Sequence, residues 1–123
     1  MKFNHLHIAV PDVKKARKFY EDFFDMQLAF EHGNGVFLKD SVGFMLAIDP
    51  LEKNEKINFP SWFHQGFCVE SAAKVKEIYE RMKAAGVEFA REYKEFGEDA
   101  ANFYCWSPGP YKLEVSWNRD DEV

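Results

Sequence analysis

The sequence predicts an α+β fold made of two βαβββ modules, and three observations support this class. The segment that begins at His5 is similar to the segment that begins at His64, an offset of 59 residues. An amphipathic helical stripe follows each segment, and β-rich runs separated by turn residues follow each stripe. One module of about 55 residues buries too little surface to be stable alone. We therefore expect the two to combine into a curved, incompletely closed mixed sheet around a cleft.

The first module is predicted over residues 3–49. A strand at 3–10 precedes Asp12, which is a favourable N-cap for the helix that follows. The apolar positions of this helix have the spacing of one helical face and are Val13, Ala16, Tyr20 and Phe23. Three strands follow, at 27–32, 35–40 and 42–49, with Gly33-Asn34-Gly35 as the turn between the first two.

The second module is predicted over residues 62–117, after the charged linker 50–60. A strand at 62–69 leads to the N-cap Ser71, and Gly86 ends the helix. The helical stripe repeats at the same offset and consists of Ala72, Val75, Tyr79 and Met82. The remaining strands are predicted at 87–93, 100–106 and 110–117.

Composition limits the partners and the compartment. The chain has 123 residues, which fits a single domain over 1–123, and 16 Lys and Arg against 21 Asp and Glu give a net charge of −5. This acidic balance argues against nucleic-acid binding. No apolar run approaches a membrane span, and Cys68 and Cys105 do not make a disulfide framework. We expect a cytoplasmic protein with reduced thiols and no membrane partner.

Strand alternation selects the candidate metal ligands. In the segment 3–10, the apolar row should pack on the helix, which turns His5 and His7 to the opposite face. The same alternation turns His64 and Glu114 away from the second helix. Two histidines and one carboxylate have the composition of a 2-His-1-carboxylate metal site. The structural alternatives are surface histidines and a solvated glutamate, and His7 competes with His5 for the ligand role.

These residues carry a family resemblance. The duplicated βαβββ pattern, the H-x6-D spacing from His5, FYEDFF in the first helix and FYCWSPGPYKLEV near the end resemble the vicinal oxygen chelate superfamily. This group includes glyoxalase I, extradiol dioxygenases, fosfomycin-resistance thiol transferases, methylmalonyl-CoA epimerase and metal-free bleomycin-resistance proteins. The resemblance covers residues 3–117 and implies the glyoxalase/bleomycin resistance/dihydroxybiphenyl dioxygenase fold.

The resemblance also implies a metal site. By position, the ligands fall on His5, His64 and Glu114, and the ion would be a divalent metal such as Fe2+, Mn2+, Ni2+ or Zn2+. Glyoxalase I and the epimerase carry a fourth ligand on the strand equivalent to 43–48, and we assign Met45 to that place, as the counterpart of Glu114. A thioether is a poor ligand for a hard divalent ion. The three-ligand arrangement then resembles extradiol dioxygenases and the thiol transferases.

The expected function is a metal-dependent enzyme that acts on a small oxygen-chelating substrate, as a dioxygenase or a glyoxalase-related lyase or transferase. His7 and Tyr104 are the candidate acid or base residues. The alternative is a non-catalytic protein of the bleomycin-resistance type, which would sequester a ligand in an aromatic cleft. Exposed sheet edges favour a homodimer, and the site would lie within one chain or be shared by two.

Overall fold

The computed structural model describes residues 1–121 and 123, and these residues form two four-stranded mixed sheets with one helix each. The first compact unit comprises residues 1–58 and 108–110, and the second comprises residues 59–107 and 111–123. Each has the order β-α-β-β-β, which confirms the predicted pair of βαβββ modules. Within the described residues, each helix is too short or too polar to span a membrane.

The first unit has the sheet order β1-β4-β3-β2, in which β1 and β4 are parallel and the other pairs are antiparallel. Its elements are β1 (His5–Val10), α1 (Val13–Phe24), β2 (Gln27–His32), β3 (Gly35–Lys39) and β4 (Met45–Pro50). The strand β4 begins three residues later than predicted. The Asp40 carboxylate accepts hydrogen bonds from the amides of Val42 and Phe44, which holds this stretch in a turn.

The second unit has the equivalent order β5-β8-β7-β6, and its β5 and β8 are the parallel pair. Its elements are β5 (Gln65–Cys68), α2 (Ala72–Ala84), β6 (Phe89–Phe96), β7 (Ala100–Trp106) and β8 (Lys112–Asn118). The strand β5 is shorter than predicted because the amide of Phe63 donates to the Pro60 carbonyl and closes a turn. His64 therefore lies directly before β5 and not within it.

Both helices begin at the predicted caps. The Asp12 carboxylate accepts from the amide of Lys15 at 3.1 Å, and the Ser71 hydroxyl accepts from the amide of Lys74 at 3.0 Å. The other positions of the predicted stripes are half-buried, so the buried faces share only two residues with each stripe. They consist of Ala16, Phe19 and Tyr20 in α1 and of Val75, Ile78 and Met82 in α2.

The core of each unit lies between its helix and one face of its sheet. On β1, Ile8 and Val10 are buried, whereas His5 and His7 are exposed on the other face, as the alternation predicts. On β8, Leu113 and Val115 are buried. The fold thus leaves the polar face of each sheet available for chemistry.

Candidate metal centre

His64 and Glu114 meet on the polar face of the second sheet. Gly66 on β5 pairs with Glu114 on β8, and His64 lies two residues before Gly66. The Nε2 atom of His64 is 3.5 Å from Oε1 of Glu114, and the side chains are 29% and 21% exposed, respectively. A histidine nitrogen and a carboxylate oxygen, both ordinary metal ligands, therefore face each other in a half-buried position.

The hydrogen bond of the other ring nitrogen fixes the tautomer of His64. Its Nδ1–H donates to the backbone carbonyl of Trp62 at 2.8 Å. In a neutral ring the lone pair then lies on Nε2, the atom that faces Glu114. A metal-ligating histidine usually has its second nitrogen held in this way by a carbonyl or a carboxylate.

A side-chain amide holds the other oxygen of Glu114. The Nδ2 group of Asn102 donates to Oε2 at 2.8 Å, and Oδ1 of Asn102 accepts from the Arg91 guanidinium. Oε1 lies close to the Gly66 backbone, since a Cβ atom built there would be in ordinary van der Waals contact with it at 4.0 Å. Only Oε1 thus remains to face His64.

Tyr104 lies beside both candidate ligands. It pairs with Glu114 across β7 and β8, and its ring meets the His64 ring edge-on at 5.3 Å between centroids. Burial first, and the Glu114 carboxylate second, raise the pKa of Tyr104 above its ordinary value, although Arg91 opposes this shift. The phenol is therefore protonated at neutral pH and can donate a proton or a hydrogen bond.

The first unit carries the other two histidines of the prediction. The Nδ1–H of His5 donates to Oδ1 of Asn4 at 2.7 Å, which leaves the Nε2 lone pair free, as in His64. The Nε2 atom of His7 is 2.5 Å from Oδ2 of Asp49. His5 thus has the tautomer of a ligand, whereas the Nε2 of His7 is already engaged by a carboxylate.

The strand register corrects the assignment of Met45. In the first unit Met45 pairs with His5, and Ala47 pairs with His7. In the second unit Glu114 pairs with Gly66, two residues beyond His64. The counterpart of Glu114 is therefore Ala47 and not Met45. The predicted position is two residues too early because pairing between distant strands is not encoded in local alternation. Alanine offers no ligand atom, so the expectation of three ligands is unchanged.

The donors that meet fit a divalent ion. Two neighbouring ligands at about 2.1 Å from one ion lie ~3.0–3.4 Å apart, close to the 3.5 Å between His64 and Glu114. Within residues 1–121 and 123, no group of three or more His, Cys, Asp or Glu side chains is close enough to hold a metal. His5 belongs to the first unit, and its convergence with the other two remains a prediction.

Three polar partners were not identified from the sequence, namely Asn102 and Arg91 in the second unit and Asp49, the partner of His7, in the first. Alternation could have found Asn102, because it lies two residues before Tyr104 on one strand. It could not have found Arg91, since the register of β6 is irregular on both sides of that residue.

Comparisons with known proteins agree with this architecture. A family model described as the Glyoxalase/Bleomycin resistance protein/Dioxygenase superfamily matches residues 2–115. A solved structure described as a possible glyoxalase from Bacillus cereus is 31% identical, with a TM-score of 0.80 over 94% of this chain and 97% of that chain. A comparison with curated proteins finds no match.

Two more distant structures support the fold. A variant of the fosfomycin resistance protein FosX from Listeria monocytogenes, complexed with Mn(II) and 1S,2S-dihydroxypropylphosphonic acid, is 19% identical, with a TM-score of 0.78 over 95% of this chain and 92% of that chain. Lactoylglutathione lyase from Agrobacterium tumefaciens is 20% identical, with a TM-score of 0.70 over 96% and 94% of the two chains.

Proposed function

The chain belongs to the glyoxalase/bleomycin resistance protein/dioxygenase superfamily, and we propose that it is a divalent-metal-dependent enzyme acting on a small substrate with two neighbouring oxygens. The observation that carries this proposal is the pair formed by His64 and Glu114. Its two ligand atoms lie 3.5 Å apart with the lone pair of the imidazole directed at the carboxylate. The FosX complex, which holds Mn(II) and a vicinal diol, supports the choice of metal and substrate class.

Three residues of this chain would hold the ion, namely His5, His64 and Glu114. They would do so within one chain or across the two chains of a homodimer, which we propose as the cytoplasmic form of the protein. When bound, a divalent ion supplies Lewis-acid stabilisation of negative charge on a chelating oxygen. Sedimentation velocity at micromolar concentration tests the dimer.

Two residues would donate or accept protons. The Tyr104 phenol, kept protonated by burial and by Glu114, would donate a proton or a hydrogen bond to the substrate. His7 would act as the base through Nδ1, because the contact of its Nε2 with Asp49 leaves the Nδ1 lone pair available. Asp49 would then orient the ring.

Calorimetric titration with Mn2+ tests the metal site. We expect His64→Ala and Glu114→Gln to weaken binding by more than about 100-fold, beyond the usual effect of losing a partner that only orients a ligand. His32→Ala is the matched control, since His32 is an exposed residue at the end of β2. Binding of Mn2+ that is equal in all four proteins, or absent from the wild type, would contradict the proposal.

A non-catalytic ligand-binding protein is the second candidate, and exposed aromatic side chains before β5 favour it. Trp62 is 84% exposed, and the rings of Phe59 and Phe63 are stacked with centroids 4.1 Å apart. Such a surface suits planar, apolar ligands. This function predicts that a catechol quenches tryptophan fluorescence equally with and without Mn2+, and equally in the Glu114→Gln variant.

A further inference from the structure

We propose that Asn102 and Arg91 are positioning residues that make Glu114 present one oxygen, Oε1, to the metal. This inference rests on the proposed function, because it concerns how one of its ligands is held. Neither residue would touch the ion or the substrate. Their role would be to fix the rotation of the carboxylate before an ion arrives.

The direction of the hydrogen bonds fixes the amide of Asn102. A guanidinium can only donate, so the amide atom that contacts Arg91 is the oxygen, Oδ1. The Nδ2 group must then face Glu114, and it donates to Oε2 at 2.8 Å. The chain from Arg91 through Asn102 therefore occupies Oε2 and leaves Oε1 toward His64.

Arg91 is itself held by its surroundings. Its guanidinium carbon lies 5.2 Å from the Tyr104 ring centre and 5.8 Å from the Phe96 ring centre. One terminal nitrogen also donates to the Glu92 carbonyl at 3.0 Å. A guanidinium that is already ordered loses little conformational entropy when it binds Asn102.

The first unit indicates that the sheet does not need these polar residues. The strand register makes Phe30, Phe37 and Ala47 the counterparts of Arg91, Tyr104 and Glu114. There the two phenylalanine rings stack at 4.4 Å, beside an alanine. Gly35 takes the place of Asn102, two residues before Phe37. The same fold is thus built without the arginine and the amide where alanine occupies the position of Glu114.

Loss of the amide should free the carboxylate. Without Asn102, Oε2 has no donor from this amide, so Glu114 can rotate and offer both oxygens. We expect Asn102→Ala to weaken Mn2+ binding by about 10–100-fold, the usual effect of removing a partner that orients a ligand. Arg91→Met should weaken it by about tenfold, and Arg91→Lys should restore much of the loss, since lysine also donates to Oδ1.

Lys94→Met is the charge-matched control. Lys94 lies on the same strand and over the same Phe96 ring, with its Nζ 4.9 Å from the ring centre, so its loss changes the net charge equally. We expect wild-type affinity in this variant. If Lys94→Met weakened binding as much as Arg91→Met, the effect of Arg91 would be general electrostatics and the inference would be wrong. Thermal unfolding of each metal-free variant checks that its fold is intact.

The visible absorption of bound Co2+ gives a readout that a purely structural role would not change. In Asn102→Ala we expect weaker bands than in the wild type, because a second carboxylate oxygen raises the coordination number. If His64→Ala abolished metal binding but Asn102→Ala matched the wild type in affinity and spectrum, this inference would be overturned and the proposed function would stand. Wild-type protein that bound neither Mn2+ nor Co2+ would overturn both.

Discussion

Ala47 is the first unit's counterpart of Glu114. Each lies on the last strand of its unit, beside the first strand, and pairs with a residue two positions beyond a candidate histidine ligand. The partner of Ala47 is His7, whereas the partner of Glu114 is Gly66. At this pair of positions each unit therefore combines one large polar side chain with one small residue, and only the second unit has the carboxylate.

The variant Ala47→Glu should tighten Mn2+ binding by about tenfold or more, because it adds a charged oxygen ligand at the position equivalent to Glu114. Ala47 is only 1% exposed, so the metal-free variant should also lose ~2 kcal/mol of unfolding free energy. Calorimetry and urea unfolding measure the two effects.

The control for this change is Ala47→Gln, which has the same size without the charge. It should destabilise the protein to a similar extent but should not tighten the binding of Mn2+. If Ala47→Glu and Ala47→Gln had the same affinity as the wild type, the pseudo-symmetric relation between Ala47 and Glu114 would have no bearing on the metal.

Local sequence signals predicted most of the elements. Strand β2 was predicted at its observed residues, and Asp12 and Ser71 cap the helices as expected, because caps and turns depend on a few adjacent residues. The placement of His64 and Glu114 on one face followed from alternation and from the internal repeat. These signals are short-range or repeat within the chain.

What sequence analysis could not supply is the relation between distant strands. The register of β4 against β1 decided that Ala47, and not Met45, matches Glu114. The partnership of His7 with Asp49 depends on that same register. Alternation along one strand does not determine the register of that strand against its neighbour, so such contacts require the folded structure.

Gly35→Ala should destabilise the first unit by about 1–3 kcal/mol. A Cβ atom there would collide with the Asp49 side chain and lie 2.6 Å from the Ile48 carbonyl oxygen. Gly66→Ala is the matched control in the second unit, where the nearest atom would be 4.0 Å away. It should be neutral or slightly stabilising in urea unfolding. Equal effects of the two substitutions would contradict the close approach of Asp49 to Gly35.

Alkaline pH should destabilise the protein through Cys105. Burial raises the pKa of this thiol from its ordinary 9.0 to about 12. Between these values the unfolded chain has lost the thiol proton while the folded chain keeps it. The stability is therefore complete below pH 9 and falls toward pH 12, by about 1.4 kcal/mol per pH unit for this proton.

Urea unfolding from pH 8 to 11, in the presence of a reductant, measures this slope. Cys105→Ala should lower the stability at pH 8, because it leaves a small cavity, but should reduce the loss above pH 9. Cys68→Ala is the control, since Cys68 is exposed, and it should keep the wild-type slope. A Cys105→Ala variant with the wild-type slope would mean that other groups cause the alkaline loss.

The pKa of Tyr104 should respond to the charges of Glu114 and Arg91. Burial and Glu114 raise the pKa of its phenol, whereas Arg91 lowers it. In the wild type, the tyrosinate absorbance of Tyr104 should therefore appear above pH 10. The variant Tyr104→Phe identifies this signal, because it lacks it. Glu114→Gln should move this transition to lower pH, because a neutral side chain no longer repels the tyrosinate. Arg91→Met should move it to higher pH, because a stabilising cation is gone. Shifts in the same direction for both variants would contradict the positions of Glu114 and Arg91 around the Tyr104 hydroxyl and ring.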